Sequence, residues 1–284
     1  MKTKLGFFAI MICVLNSCTQ LKIAVDDLRC EYLTRPSGVD VDHPHFSWKI
    51  AAEERSVYQQ AYRIVVSDKQ SEIQAKSGDC WDSGWIKSDY TVNLKYEGAP
   101  LAGNHTYYWR VCAVINGQEV WSKPSVFHTG LFDETDWKAQ WVGVKEEIIH
   151  QSLLFRKPFS IEKKIKEAYI YVTAAGFYEL YLNGQKVDDD VLNPAITDYR
   201  KTVLYSAYDV TGLLKKGENA FGVMLGNAAY NMYIFPDRYG WGDSNPLGTP
   251  RFLLQMNVVF DDGSETTVTS GEGWKYTMGP ITYN

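Results

Sequence analysis

Asp188-Asp189-Asp190 is the densest acidic run of the chain, and the first place to look for acid–base or metal chemistry. Neighbouring strand residues point to opposite faces, so three consecutive carboxylates on a strand do not converge. A solvated turn after a hairpin explains such a run without a ligand. The histidines, His43, His45, His105, His128 and His150, have no nucleophile motif near them. Each reads as a surface or internally satisfied residue rather than a catalytic one. Gly240-Trp241-Gly242 is followed by neither a helix pattern nor a lysine, so it is a poor phosphate loop. Cys30, Cys80 and Cys112 fit no zinc spacing. They allow one disulfide with a thiol left over, or simple core packing.

Two further cysteines, Cys13 and Cys18, lie in the N-terminal segment. Lys2 and Lys4 precede an apolar run over residues 5–15. That run is shorter than the ~20 residues a membrane-spanning helix needs but suits a signal-peptide core. Leu15-Asn16-Ser17-Cys18 then resembles the site cut by the lipoprotein signal peptidase, with Cys18 as the lipidated residue. The expectation is an exported cell-envelope lipoprotein, in the periplasm or on the outer surface, tethered by lipid rather than spanning the membrane. An ordinary secretory signal with an incidental cysteine is the alternative. A formal charge of −5, both signs interspersed, argues against nucleic acid as a partner. Nineteen Tyr and nine Trp are strand formers that also present flat amphipathic faces to sugar rings, so composition alone does not separate those uses.

The elements that must position these residues are short strands. Alternating apolar runs are separated by Asn116-Gly117, Asn183-Gly184 and Asp262-Gly263, the strongest short-range hairpin signal. No long amphipathic helix pattern interrupts them. Residues 1–17 read as signal, 18–27 as tether, 28–131 as a first domain, 132–151 as a linker carrying Asp136-Trp137, and 152–284 as a second domain. In the first, Tyr107, Trp109, Val111 and Ala113 share one strand face and Arg110 and Cys112 the other. Leu101, six residues before Tyr107, resembles the Leu…Tyr corner of fibronectin type III domains. The fold class is all-β: a fibronectin type III-like sandwich followed by a jelly-roll-like β-sandwich.

The motifs are more specific than the pattern. Pro44-His45-Phe46-Ser47-Trp48, Trp81-Asp82-Ser83-Gly84-Trp85, Tyr107-Tyr108-Trp109-Arg110-Val111 and Trp121-Ser122 resemble the leading domain of bacterial α-L-rhamnosidases. Phe177-Tyr178-Glu179-Leu180-Tyr181-Leu182-Asn183-Gly184, Leu192-Asn193-Pro194 and Thr197-Asp198-Tyr199-Arg200-Lys201 are similar to the family's next domain. So are Tyr208-Asp209-Val210-Thr211, Gly217-Glu218-Asn219-Ala220 and the closing Gly279-Pro280-Ile281-Thr282-Tyr283-Asn284. One turn departs from the pattern. Where the family shows Gly-x-Gly, a bulky residue and Tyr, this chain has Gly226-Asn227-Ala228-Ala229-Tyr230.

The resemblance implies an enzyme that hydrolyses terminal α-L-rhamnosyl bonds with inversion, using an acidic pair in an α/α barrel beyond these motifs. An inverting pair must be held ~6.5–9.5 Å apart across a sugar pocket, and no residues here match one. These domains alone should therefore be inactive, with a C-terminal catalytic domain as their partner. The resemblance also implies a calcium-assisted rhamnose-binding module in the second domain. By motif position Asp189 and Asp190 are the metal or hydroxyl ligands, Asn193 lies beside them, and Asn227 and Tyr230 come from the turn that faces them. Tyr233, Tyr239 and Trp241 offer stacking faces, with loop packing or contact with the barrel as the plainer reading. Asp198 reads as a turn cap. Three functions follow: an accessory part of an α-L-rhamnosidase, a non-catalytic lipoprotein that binds rhamnose-containing glycans, or a structural spacer.

Overall fold

The computed structural model describes residues 23–145, 151–231 and 247–282. The first sandwich is built from β1 (Ala24–Cys30), β2 (Ser37–Val39), β3 (His45–Ala51), β4 (Gln59–Ser67), β5 (Trp81–Asp82), β6 (Leu94–Lys95), β7 (Thr106–Ile115), β8 (Gln118–Trp121) and β9 (Ser125–Thr129). One sheet runs β1-β3-β6, the other β2-β9-β7-β4-β5, with β8 also on β7. Alternation along β7 sends Tyr107, Trp109, Val111 and Ala113 into the core, where Phe46 stacks on Trp109 at 4.3 Å. The buried Trp48 cannot leave its indole N–H unpaired, and donates it to Gln59 Oε1 at 3.0 Å. At the corner, the Ala102 N–H donates to the Tyr107 hydroxyl at 2.9 Å, with Leu101 buried beside it. Cys30, Cys80 and Cys112 are all free thiols, and Cys30 is part of the core. Burial pushes the Cys112 thiol up to about 11, so it is an inert packing group.

The second sandwich follows with β10 (Val142–Gly143), β11 (Leu153–Ile161), β12 (Ile165–Ala175), β13 (Phe177–Leu182), β14 (Gln185–Lys186), β15 (Ser206–Asp209), β16 (Gly217–Gly226), β17 (Arg251–Phe260), β18 (Glu265–Thr269) and β19 (Lys275–Met278). Its sheets run β10-β17-β12-β15, with β18 also on β17, and β14-β13-β16-β11-β19. Ile170, Val172, Leu180, Leu182, Phe221, Val223, Leu254 and Met256 fill the space between them. Each carries the inward half of an alternating strand. The linker expected over residues 132–151 is shortened, because Val142 is buried and Val142–Gly143 pairs with Arg251 and Phe252. The tether expected over residues 18–27 likewise runs into β1, whose Ala24 pairs with Ala51.

The three turn signals resolve into two geometries. Asn116-Gly117 and Asn183-Gly184 both carry two consecutive positive φ angles (50° and 77°, 54° and 83°), the twist that a two-residue hairpin demands. At Asp262-Gly263 only the glycine is left-handed, at φ 79°.

The two sandwiches touch through a compact polar and aromatic seam. His128 of β9 lies flat on Tyr169 of β12, with centroids 3.4 Å apart and planes 6° apart. Its Nδ1 is 2.8 Å from Thr106 Oγ1, whose hydroxyl donates to Glu167 at 2.9 Å. Its Nε2 is 2.8 Å from the Tyr171 hydroxyl. Burial drives the His128 pKa down to about 3, so the ring is neutral. Nearby, the Tyr205 hydroxyl accepts the Leu131 N–H at 2.9 Å and donates to the Leu131 carbonyl at 3.1 Å. Trp137, from the expected linker, meets Tyr205 edge-on at 5.4 Å.

Candidate functional site

Beyond β14 the chain stops pairing regularly with β13. Val187 N–H still donates to the Leu180 carbonyl, and pairing resumes where Tyr178 N–H donates to the Asn193 carbonyl at 2.8 Å. Residues 188–192 therefore bulge outward as a turn, and strand alternation does not govern the three aspartates. The Asp190 N–H donates to Asp188 Oδ1 at 2.6 Å, closing an Asx-type turn. Asn193 Nδ2 donates to Asp190 Oδ2 at 3.2 Å and to the Tyr208 hydroxyl at 3.1 Å, and Tyr208 touches the buried Tyr178 hydroxyl at 3.3 Å. Asp189 and Asp190 are exposed and Asp188 is half-buried. Burial pushes the Asp188 carboxyl up, and the Asp190 charge adds to the rise.

Sequence reasoning missed the cation at this turn. Lys186 Nζ donates to the Asp190 carbonyl at 2.9 Å and approaches Glu179 Oε1 at 3.4 Å. Glu179 in turn accepts the Tyr181 hydroxyl at 2.7 Å. The signal was present in the alternation of Phe177–Leu182, which puts Glu179 and Tyr181 on the outward face. A lysine two residues beyond Asn183-Gly184 must then pair beside them.

Calcium takes six to eight oxygen ligands, and the turn does not fit it as arranged. Asn193 offers its amide N–H to Asp190, the Asp190 carbonyl is held by an ammonium, and three acidic ligand atoms do not converge there. Among the described residues such a convergence of His, Cys, Asp or Glu occurs at Asp68, Asp79 and Cys80. There Lys69 sits 2.8 Å from Asp79 and supplies the positive charge.

The other expected residues stand further along the same sheet. Asn193 pairs with Tyr178 and Tyr178 with Leu225, so about 10 Å separates Asn193 from the end of β16. Asn227 is buried just past that end, and its Oδ1 accepts Asn231 Nδ2 at 3.1 Å. Tyr230 meets Tyr199 edge-on at 5.3 Å and carries the Arg251 guanidinium 5.6 Å over its ring. Asp198 caps a turn, accepting the Arg200 N–H at 3.2 Å. Cys18, Tyr233, Tyr239 and Trp241 lie outside the described residues. The structure thus joins Asp190 to Asn193, and reaches Tyr230 through the segment carrying Tyr199.

Comparison with known proteins assigns both sandwiches. Residues 25–133 match the family described as Rha78A-like, N-terminal immunoglobulin domain. Residues 163–284 match Alpha-L-rhamnosidase N-terminal domain. These sandwiches are N-terminal accessory domains of the α-L-rhamnosidase family. An α-L-rhamnosidase of Formosa agariphila is 32% identical over 93% of this chain, and one of Alteromonas sp. 34% identical over 89%. The solved α-L-rhamnosidase of Dictyoglumus thermophilum matches 92% of the chain with a TM-score of 0.80 and 39% identity. This chain spans 31%, 28% and 30% of those three proteins, respectively. The match falls on the N-terminal accessory domains of these relatives.

Proposed function

We propose that the protein containing these domains hydrolyses terminal α-L-rhamnosyl bonds, and that this portion contributes sugar recognition and support to a catalytic domain. The observation carrying the reading is the match of both sandwiches, in order, to α-L-rhamnosidases over nine-tenths of the chain. In the second sandwich the rhamnosyl unit rests on the 188–193 turn. Asp189 and Asp190 accept its vicinal hydroxyls, and Asn193 and Tyr208 orient Asp190 from below. Asn227 and Tyr230 belong to the wider wall of the same site. A hydroxyl donates and accepts at once, so a carboxylate beside the Lys186 ammonium suits it.

Titration calorimetry with L-rhamnose, in chelator and again with calcium, tests the binding. Asp190→Ala or Asn193→Ala should weaken it roughly tenfold, the worth of one charge-assisted hydrogen bond. No heat from the parent protein in either buffer removes the sugar-binding reading. Calcium-dependent heat would show that the turn rearranges to admit an ion. Release of nitrophenol from p-nitrophenyl α-L-rhamnoside by the whole gene product tests the catalytic part. Export and lipidation belong to the same proposal: Cys18→Ser should shift the protein out of the membrane fraction.

A further inference from the structure

The outward face of the β14-β13-β16-β11-β19 sheet carries a groove of about 450 Å³. Strand register places its residues in rows. Lys186 pairs with Tyr181, Tyr181 with Gly222, Gly222 with Arg156, and Arg156 with Lys275. Residues paired in this way share one face. The row therefore reads cation, aromatic, gap, cation, cation across five strands, about 19 Å at the usual strand spacing. Beside the gap, Met224 and Leu154 form an apolar wall.

Two features of the row have no structural cause within the domain, and a third shapes it. Gly222 stands inside a strand, where glycine weakens the sheet unless there is a bulge or something must approach closely. Pairing runs through it without a register shift on both sides, and its φ is not left-handed. A Cβ there would touch only Tyr181 Cβ, at an ordinary 3.4 Å, so the gap is open space. Arg156 and Lys275 are like charges directly opposite on adjacent strands, an arrangement that destabilises a sheet. Both are exposed, and Glu179, across Met224 from Leu154 on that face, is already held by Lys186 and Tyr181. Finally, the Tyr181–Glu179 hydrogen bond lays the Tyr181 ring along the strand, so that it flanks the gap.

We infer that this groove binds an acidic saccharide unit, its carboxylate on Arg156 and Lys275 and its ring seated over Gly222 against Tyr181. A planar carboxylate matches the arginine fork, an aromatic face takes the C–H side of a pyranose, and Met224 and Leu154 exclude water from the far edge. The groove's carboxylate and ring contacts use residues other than Asp189, Asp190 and Asn193, while Lys186 and Glu179 link Tyr181 to the 188–193 turn. Amide NMR of the protein titrated with trigalacturonate, with a monosaccharide sulfate ester and with neutral cellotriose separates them. The inference expects trigalacturonate to move the amides of Tyr181, Gly222, Arg156 and Lys275 and to leave those of Asp190 and Asn193 in place. Added salt should weaken it, and cellotriose should bind at least tenfold more weakly. Gly222→Val fills the gap without straining the strand and should abolish the shifts at unchanged melting temperature. Arg156→Ala with Lys275→Ala should weaken binding tenfold or more. Silence from trigalacturonate, shifts that survive Gly222→Val, or tighter binding of the sulfate ester would each overturn the assignment. So would self-association of the parent protein that Gly222→Val removes, which would make the face a protein contact instead.

Discussion

At the scale of single residues, many family motifs build the fold rather than touch a ligand. Asn219, from Gly217-Glu218-Asn219-Ala220, is 3% exposed and fully engaged: its oxygen accepts from Lys215 N–H and Asn183, and its amide donates to the Lys215 and Gly217 carbonyls. Asp82, from Trp81-Asp82-Ser83-Gly84-Trp85, forms a two-point ion pair with Arg63. Tyr107 is the clearest test. Its hydroxyl accepts one backbone N–H and its ring stacks on Phe127 at 5.5 Å. Tyr107→Phe keeps the stack and loses the bond, so urea unfolding should show a loss of about 1 kcal/mol. Sugar binding by the second sandwich should not change. The corner was legible because its spacing is local. The place of Lys186 under Asp190 was not, because a turn that leaves the strand register has no periodicity to read.

At the scale of elements, the same Asx-Gly signal has different costs. Asn183 holds a left-handed φ of 54°, and its side chain bonds Leu213, Asn219 and Ala220. Asn183→Ala should therefore cost about 2–3 kcal/mol, combining strain with lost buried bonds. Asp262 keeps an ordinary φ and bonds only the half-buried Ser264 and the exposed Lys163. Asp262→Ala should lower the melting temperature much less. Thermal unfolding of the two variants side by side checks the ranking, and equal losses would refute the distinction between the turns. Gly184→Ala belongs with the first, since φ 83° suits only glycine.

At the scale of the whole molecule, the seam between sandwiches should respond to pH. His128 faces Thr106 on its own side and Glu167, Tyr169 and Tyr171 across the seam, with His105 raising the cost of its charge. The folded pKa, about 3, lies below the ordinary 6.5. Between those values the unfolded chain binds a proton that the folded protein refuses. Stability is thus intact above 6.5 and falls on acidification, by about 1.4 kcal/mol per pH unit from this group alone. His128→Asn should be the less stable protein at pH 7.5, through loss of the stack on Tyr169. Its deficit should shrink by roughly 2–3 kcal/mol at pH 4.5. Urea unfolding at both pH values measures this, and a deficit that stays constant would place the seam outside the pH response.

Alternation, turn residues and motifs by themselves determined the two sandwiches, the three hairpins, the tyrosine corner and the family. Each depends on residues a few positions apart, within reach of local backbone geometry. Only the tertiary structure decided which strands became neighbours. Alternation says that Arg156 faces outward, but not that Lys275, over a hundred residues later, lies opposite it with Gly222 on its other side. Nor does it place His128 on Tyr169. Those adjacencies come from closing two sheets over one core and one sandwich against another. Burial of the whole apolar surface selects that long-range pairing, and no single segment encodes it.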